Sequence, residues 1–100
     1  MSIQHDGDVC LIGDVNAGAE IVAGGDVVVW GVLRGQVQAG VGGDTAAVIC
    51  ALLLAPTQLR IAGVVSRGSE PTGPPAPEMA RVVHGRILVE PWTLRRRGEG

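Results

Sequence analysis

Apolar residues recur in this chain at steps of six and eighteen, and not at the three-to-four spacing of an amphipathic helix. Val9, Val15, Ile21, Val27 and Leu33 occupy every sixth position, which a 3.6-residue period cannot sustain over so many steps. A Gly-Asp-X signature keeps the same beat, as Gly7-Asp8-Val9, Gly13-Asp14-Val15, Gly25-Asp26-Val27 and Gly43-Asp44-Thr45. Copies one and two start six residues apart, and copies one and three eighteen apart. Three short sides therefore make one turn, and successive turns stack. The predicted fold is all-β: a single-stranded β-helix (solenoid) of triangular section with about three turns, followed by a C-terminal strand pair.

Stacking at eighteen places Val9 under Val27, Leu11 under Val29, Val15 under Leu33 and Ile21 under Ala39 as inward ladders. Successive side chains of a strand point to opposite faces, so Cys10, Ile12, Val28 and Trp30 then lie outside. They form an apolar stripe on one side of the prism. Contiguous apolar patches on a protein surface mark interfaces, and these four residues are the expected homodimer contact. Covering of the stripe by the C-terminal segment is the alternative. The third turn carries extra residues: stepping on by twenty aligns Ile49 with Val29, Leu53 with Leu33, Leu59 with Ala39 and Ile61 with Val41. A bulge or longer corner near Asp44 to Ala46 absorbs the difference. Residues 47–54 suit a helix by composition, but the grid favours a strand.

The pattern sets boundaries. Residues 1–6 read as a disordered lead-in, 7–64 as the β-helix core, and 65–80 as a Pro- and Gly-rich loop in which Pro71, Pro74, Pro75 and Pro77 each remove a backbone donor. Residues 81–92 read as closing strands, with two β-rich runs flanking His84-Gly85 as a hairpin that covers the end of the coil. Residues 93–100 read as a disordered tail.

Composition narrows the core and the chemistry. Among 100 residues, 46% are hydrophobic, yet Trp30 and Trp92 are the only aromatics, so the interior must be thin and aliphatic. Sixteen glycines without a collagen repeat supply corners. A formal charge of −2 argues against a nucleic-acid partner. Cys10 and Cys50 are forty positions apart with no CxxC pair or Cys/His cluster, so neither a zinc site nor a disulfide framework is suggested and buried thiols are expected. No apolar run reaches the roughly 20 residues of a bilayer span, and no signal-peptide pattern opens the chain. A cytoplasmic protein is expected.

Catalytic chemistry is not encoded in any recognisable motif. His5 and His84 lack a nucleophile–base context. Asp8, Asp14, Asp26 and Asp44 raise calcium binding of the β-roll kind, but the GGxGxD nonapeptide is missing and turn carboxylates commonly cap backbone N–H groups. The Gly pairs have no phosphate-loop context. No cofactor, metal or catalytic residue is predicted. Arg34, between Gly31 and Gly35, should project outward beside the inward Leu33 as a candidate protein contact.

Taken together, Gly13-Asp14-Val15-Asn16-Ala17-Gly18-Ala19-Glu20, the segment Trp30-Gly31-Val32-Leu33-Arg34-Gly35, Ala39-Gly40, Ile61-Ala62-Gly63 and Ile87-Leu88-Val89-Glu90-Pro91 resemble the C-terminal domain family of MinC, the bacterial septum-site-determining protein. The resemblance covers nearly the whole chain. It implies a right-handed β-helix that dimerises, binds the membrane-associated ATPase MinD, and helps direct an inhibitor of FtsZ polymerisation away from mid-cell. Arg34, Gly35 and Gln36 are then the candidate partner-binding residues, with FtsZ as a further candidate partner and membrane contact only indirect, through the ATPase. Gln36 stands where many members carry a second Arg. The rung physics alone also allows a self-assembling scaffold similar to bactofilins. Hexapeptide acyltransferases share the six-residue step, but no catalytic His sits on a rung here.

Overall fold

Side chains alternate in and out along short strands, and the inward ones stack on their counterparts one turn away. The computed structural model of the chain describes residues 2–67 and 76–91. Ten strands follow one another: β1 (Ser2–His5), β2 (Val9–Ile12), β3 (Glu20–Ala23), β4 (Val27–Leu33), β5 (Gln36–Ala39), β6 (Ile49–Leu54), β7 (Gln58–Ile61), β8 (Val64–Arg67), β9 (Glu78–Val83) and β10 (Arg86–Pro91). They form two five-stranded sheets, one ordered β1-β3-β5-β7-β8 and the other β10-β9-β6-β4-β2. Consecutive strands of a turn lie in different sheets and equivalent strands of successive turns pair in parallel, the topology of a solenoid. The third side is narrow, held by the Val15–Leu33 bridge and by Val32–Leu53 and Leu33–Leu54 pairing.

Inside the prism, Val9, Val27 and Ile49 make one ladder, Leu11, Val29 and Ala51 another, and Ile3, Ile21, Val37 and Leu59 a third. Ile21, Val27, Val29, Leu33, Ile49 and Ile61 are fully buried, each contributing about 1.5–3 kcal/mol of apolar burial. No polar side chain is buried among the described residues, so the core rests on aliphatic contact alone.

The sides repeat while the corners vary. Val9–Val27 and Leu11–Val29 keep the expected eighteen-residue step, and Val15–Leu33 does too. Ile21, by contrast, stacks on Val37 and not on Ala39. Glu20 follows Val15 by five positions, but Gln36 follows Leu33 by only three, so a shorter corner reduces the step to sixteen. In the third turn the step is twenty-two, with Val27 opposite Ile49, Val37 opposite Leu59 and Ala39 opposite Ile61. Ile49, Leu53, Leu59 and Ile61 are therefore not aligned with Val29, Leu33, Ala39 and Val41 as the twenty-residue step predicted. The cause is the long corner from Gly40 to Val48, together with a register shift between Val29 and Val32 that sets Leu54 on Leu33. Residues 49–54 are strand, not helix.

Both ends depart from expectation. Residues 2–5 are not a disordered lead-in but β1, parallel to β3 through Ile3–Ile21, because Ile3 extends an inward ladder and packs against the core. Val64–Arg67, spanning the boundary between the expected core and the expected loop, folds back as β8 antiparallel to β7 around Ala62 at φ 59°. β9 pairs antiparallel with β6 and with β10. His84 and Gly85 join those two strands with φ of 51° and 75°, the two positive values a tight type I′ hairpin requires. Half of the expected proline-rich loop (68–75), together with Trp92 and the expected tail 93–100, lies outside the described residues.

Candidate interaction faces

The Gly-Asp repeats fasten one turn to the next. Asp8 Oδ1 accepts a hydrogen bond from Asp26 N at 2.8 Å, Asp14 Oδ1 from Val32 N at 2.8 Å, and Asp26 Oδ1 from Val48 N at 3.0 Å. Each carboxylate satisfies a corner donor that the parallel ladder leaves over. The glycines give these clamps room: a Cβ on Gly25 would run into Asp8 Oδ1, and one on Gly31 into the Gly13 carbonyl oxygen. Asp44 breaks the series by accepting from Ala46 N at 2.9 Å within its own long corner. The aspartates thus serve as inter-rung clamps and a local turn. Among the described residues no group of three or more His, Cys, Asp and Glu is placed to hold a metal ion.

Outside β2 and β4, Cys10 lies beside Val28 and Ile12 beside Trp30, bringing the four stripe residues together. Ile12 is 86% exposed and Trp30 48%. The sheet carries this face further than the sequence indicated. Cys50 pairs with Val28 and with Met79, and Leu52 is exposed on the same strand. Arg81 Nε meets Glu90 Oε1 at 2.6 Å on β9 and β10, a charged border to an apolar field. An apolar centre with a polar rim is how protein interfaces are built. Leu52 and Met79 escaped the sequence reading because the third-turn register and the antiparallel closing strand place them there.

The two thiols differ. Cys10 is exposed, contrary to the expectation of burial, because it lies on the outer face of the terminal strand of its sheet. Cys50 is 4% exposed, shielded on the outer surface by its strand neighbours on both sides. Burial, with the Asp26 carboxylate adding to it, pushes the Cys50 thiol up from 9.0 to about 11.

Arg34, Gly35 and Gln36 sit at the corner leading from the narrow side into the first sheet. Leu33 is buried and Arg34 exposed, as predicted, with Arg34 N bonded to Val15 O at 2.8 Å. Gly35 is buried, and a side chain there would strike the carbonyl oxygen of Ala19. Gln36 opens the outer face of β5, where Glu20, Gln36 and Gln58 lie in register across β3, β5 and β7. Gln38 and Arg60 form the adjacent row, and together these residues line a shallow depression of about 180 Å³. The Arg34 corner and the Cys10–Trp30 stripe therefore occupy different sides of the prism.

Comparison with known proteins is consistent across sequence and fold. Residues 1–92 match the family model for the C-terminal domain of septum formation inhibitor MinC. The probable septum site-determining protein MinC of Gloeobacter violaceus is 57% identical over 90 residues, covering 89% of this chain and 32% of that protein. Its counterpart in Clostridium acetobutylicum is 48% identical over 92 residues, covering 91% of this chain and 44% of its own. The chain thus spans less than half the length of these relatives. Among solved structures, a chain of the MinC:MinD cell division protein complex of Aquifex aeolicus superposes with a TM-score of 0.87 at 41% identity, over 96% of this chain and 80% of that one. On sequence and fold together, the chain belongs to the family of septum formation inhibitor MinC C-terminal domains.

Proposed function

We propose that this chain is a non-catalytic dimerisation and adaptor domain of the division-site system. It pairs with a second copy through Cys10, Ile12, Val28 and Trp30, and it binds a MinD-type ATPase through the Arg34-Gly35-Gln36 corner. The ATPase recruits it from the cytoplasm to the inner face of the membrane, where it helps position an inhibitor of FtsZ-ring assembly, FtsZ being a further partner. The observation that carries this reading is the likeness over 96% of the chain to a component of a MinC:MinD complex. Two features support the division of labour. The apolar field has the composition of a self-association surface, and the Arg34 corner lies on another side. A dimer so built keeps two partner sites open, and bivalency raises the avidity for a clustered partner without any new contact.

Co-sedimentation with MinD, ATP and lipid vesicles tests the partner assignment. The protein is expected in the pellet only when MinD and ATP are both present, and Arg34→Ala should return it to the supernatant. Retention of the unmodified protein in the supernatant overturns the assignment.

A further inference from the structure

The two ends of the coil are finished differently. At the C-terminal end, β8 and β9 run antiparallel to β7 and β6, Ala80 is fully buried, and Val82 and Ile87 pack against the core. At the other end, β1 and β2 are the outermost strands of their sheets. Cover thins along the inward ladders there: Val9 is buried but 9% exposed where Val27 and Ile49 are 0%, and Leu11 and Ile3 are only partly buried.

The hydrogen-bond pattern shows what that end offers. Val9 N donates to Asp26 O, Gly13 N to Trp30 O and Val15 N to Val32 O, so the odd-numbered residues of this segment bond toward β4. Consecutive residues of a strand alternate the side on which their N–H and C=O point. Cys10 and Ile12 therefore direct both groups away from the coil, along an apolar strand, Val9-Cys10-Leu11-Ile12, that has no charge or proline to protect its edge.

We propose that this open end is a second self-association surface, in which β2 of one copy adds antiparallel to β2 of another. The strand is complementary to itself when the two-fold axis passes Cys10. Val9 then lies opposite Leu11 of the second copy on the inner side, which extends both terminal ladders and covers the part-buried Leu11 of each coil. Cys10 lies opposite its own counterpart as a hydrogen-bonded pair, with Cα atoms about 5.5 Å apart. A foreign peptide would have to supply the same alternation; a second copy has it already. The other end carries a different edge strand, β10, with Arg86, Glu90 and Pro91 along it, so the contact joins like ends in pairs. It uses the backbone edge of β2, whereas the stripe uses the outward side chains of Cys10 and Ile12, so both can be used together.

Sedimentation equilibrium across a dilution series tests this, with a Leu11→Lys variant checked by circular dichroism for retained β-structure. A lysine at the half-buried inward position reaches solvent only while the end is open, and covering it leaves an unpaired charge, so end association should weaken by on the order of a hundredfold or more. The unmodified chain is expected to exceed the mass of two copies on concentration, and Leu11→Lys to stop at two. In Val28→Glu/Trp30→Glu, where the stripe is disabled, a two-chain species should persist, be trapped at Cys10 by a short bismaleimide, and vanish when Leu11→Lys is added. If the unmodified chain stops at two and the stripe variant is monomeric with no Cys10 cross-link, the proposal is overturned and the stripe dimer stands. If the stripe variant leaves the two-chain species intact and Leu11→Lys alone abolishes it, the open end is the dimer contact and the stripe assignment fails.

Discussion

The two five-stranded sheets share one core and one repeat, yet their outer faces have opposite chemistry. Outside β3, β5 and β7 lie Glu20, Gln36 and Gln58 in one row and Val22, Gln38 and Arg60 in the next. Outside β2, β4 and β6 lie Cys10, Val28 and Cys50, with Ile12, Trp30 and Leu52 alongside. The inner faces are interchangeable in kind, since both carry Val, Ile, Leu and Ala. Folding therefore constrains every second residue, and the residues between are free to differ with the task of each face. On the first sheet that freedom yields a solvated surface with the proposed partner corner at one margin. On the second it yields an apolar field bordered by an ion pair.

The largest expected effect comes from making the second face resemble the first. Val28→Glu together with Trp30→Glu places carboxylates in the middle of the stripe, and burying unpaired charge there is costly. In a Leu11→Lys background, which silences the open end, self-association should weaken by at least about a hundredfold, with the β-sheet signal retained. Glutamate at Gln36 and Gln38, the corresponding exchange on the first sheet, should leave the mass unchanged. A stripe variant that keeps the mass of its background would show that something other than a second copy covers the face.

A second contrast lies within the apolar face, between its exposed and its shielded thiol. Cys50 has a folded-state pKa of about 11 against an ordinary 9.0, so the unfolded chain loses its proton first as pH rises. The stabilising contribution is whole below pH 9 and is lost between about 9 and 11, amounting to roughly 2–3 kcal/mol. Urea unfolding from pH 8 to 11 should show that decline, and Cys50→Ala should flatten it. With both proposed contacts disabled by Leu11→Lys/Val28→Glu/Trp30→Glu, iodoacetamide at neutral pH should modify Cys10 faster than Cys50, because Cys10 is exposed in the single chain and Cys50 is covered. Equal rates for the two thiols would contradict the covered position of Cys50.

The clamps that hold the two faces in step can be graded. Asp26→Ala removes the acceptor for a part-buried donor, Val48 N, and should cost about 1–2 kcal/mol. Asp44→Ala disturbs only an exposed local turn, so its loss should be about 0.5 kcal/mol or less. Chemical denaturation of both variants ranks them, and an Asp44 loss equal to that of Asp26 would mean that the long corner bears on the core.

What could be read from the sequence follows the same division between sides and corners. Side-chain alternation is strictly two-fold, so Val9, Val27, Cys10 and Trp30 could be assigned to inner and outer faces before any coordinates, and the Gly-Asp repeat located the first two turns. Corner length has no such rule. The Gly40–Val48 insertion and the short Arg34-Gly35 corner moved the later ladders, which hid the alignment of Gln58 with Gln36 and the place of Leu52 on the stripe. β1 and β8 were missed because Ser2–His5 and Val64–Arg67 are short, and only pairing with a neighbour makes strands of them. The outward placement of Arg34 was legible through the Leu33–Arg34 alternation, whereas Met79 could not be placed without the antiparallel closure.

The smallest expected effect concerns the border where the apolar field ends. Arg81 and Glu90 are joined across β9 and β10 at 2.6 Å, with 45% and 33% of their side-chain surfaces exposed. Solvent screens such a pair, and its contribution to folding is about 0–1 kcal/mol. The pair interrupts the apolar face between Met79 and the exposed Leu88, and charged rim residues adjust association rate and salt response more than affinity. Arg81→Leu should therefore leave the unfolding midpoint nearly unchanged while extending the apolar field beyond Met79. Static light scattering as a function of salt is the sensitive measurement: the variant should scatter more than the unmodified chain at equal concentration. A variant destabilised by several kcal/mol would instead assign Arg81 to holding the closing hairpin, and the contrast between the two outer faces would lose its border.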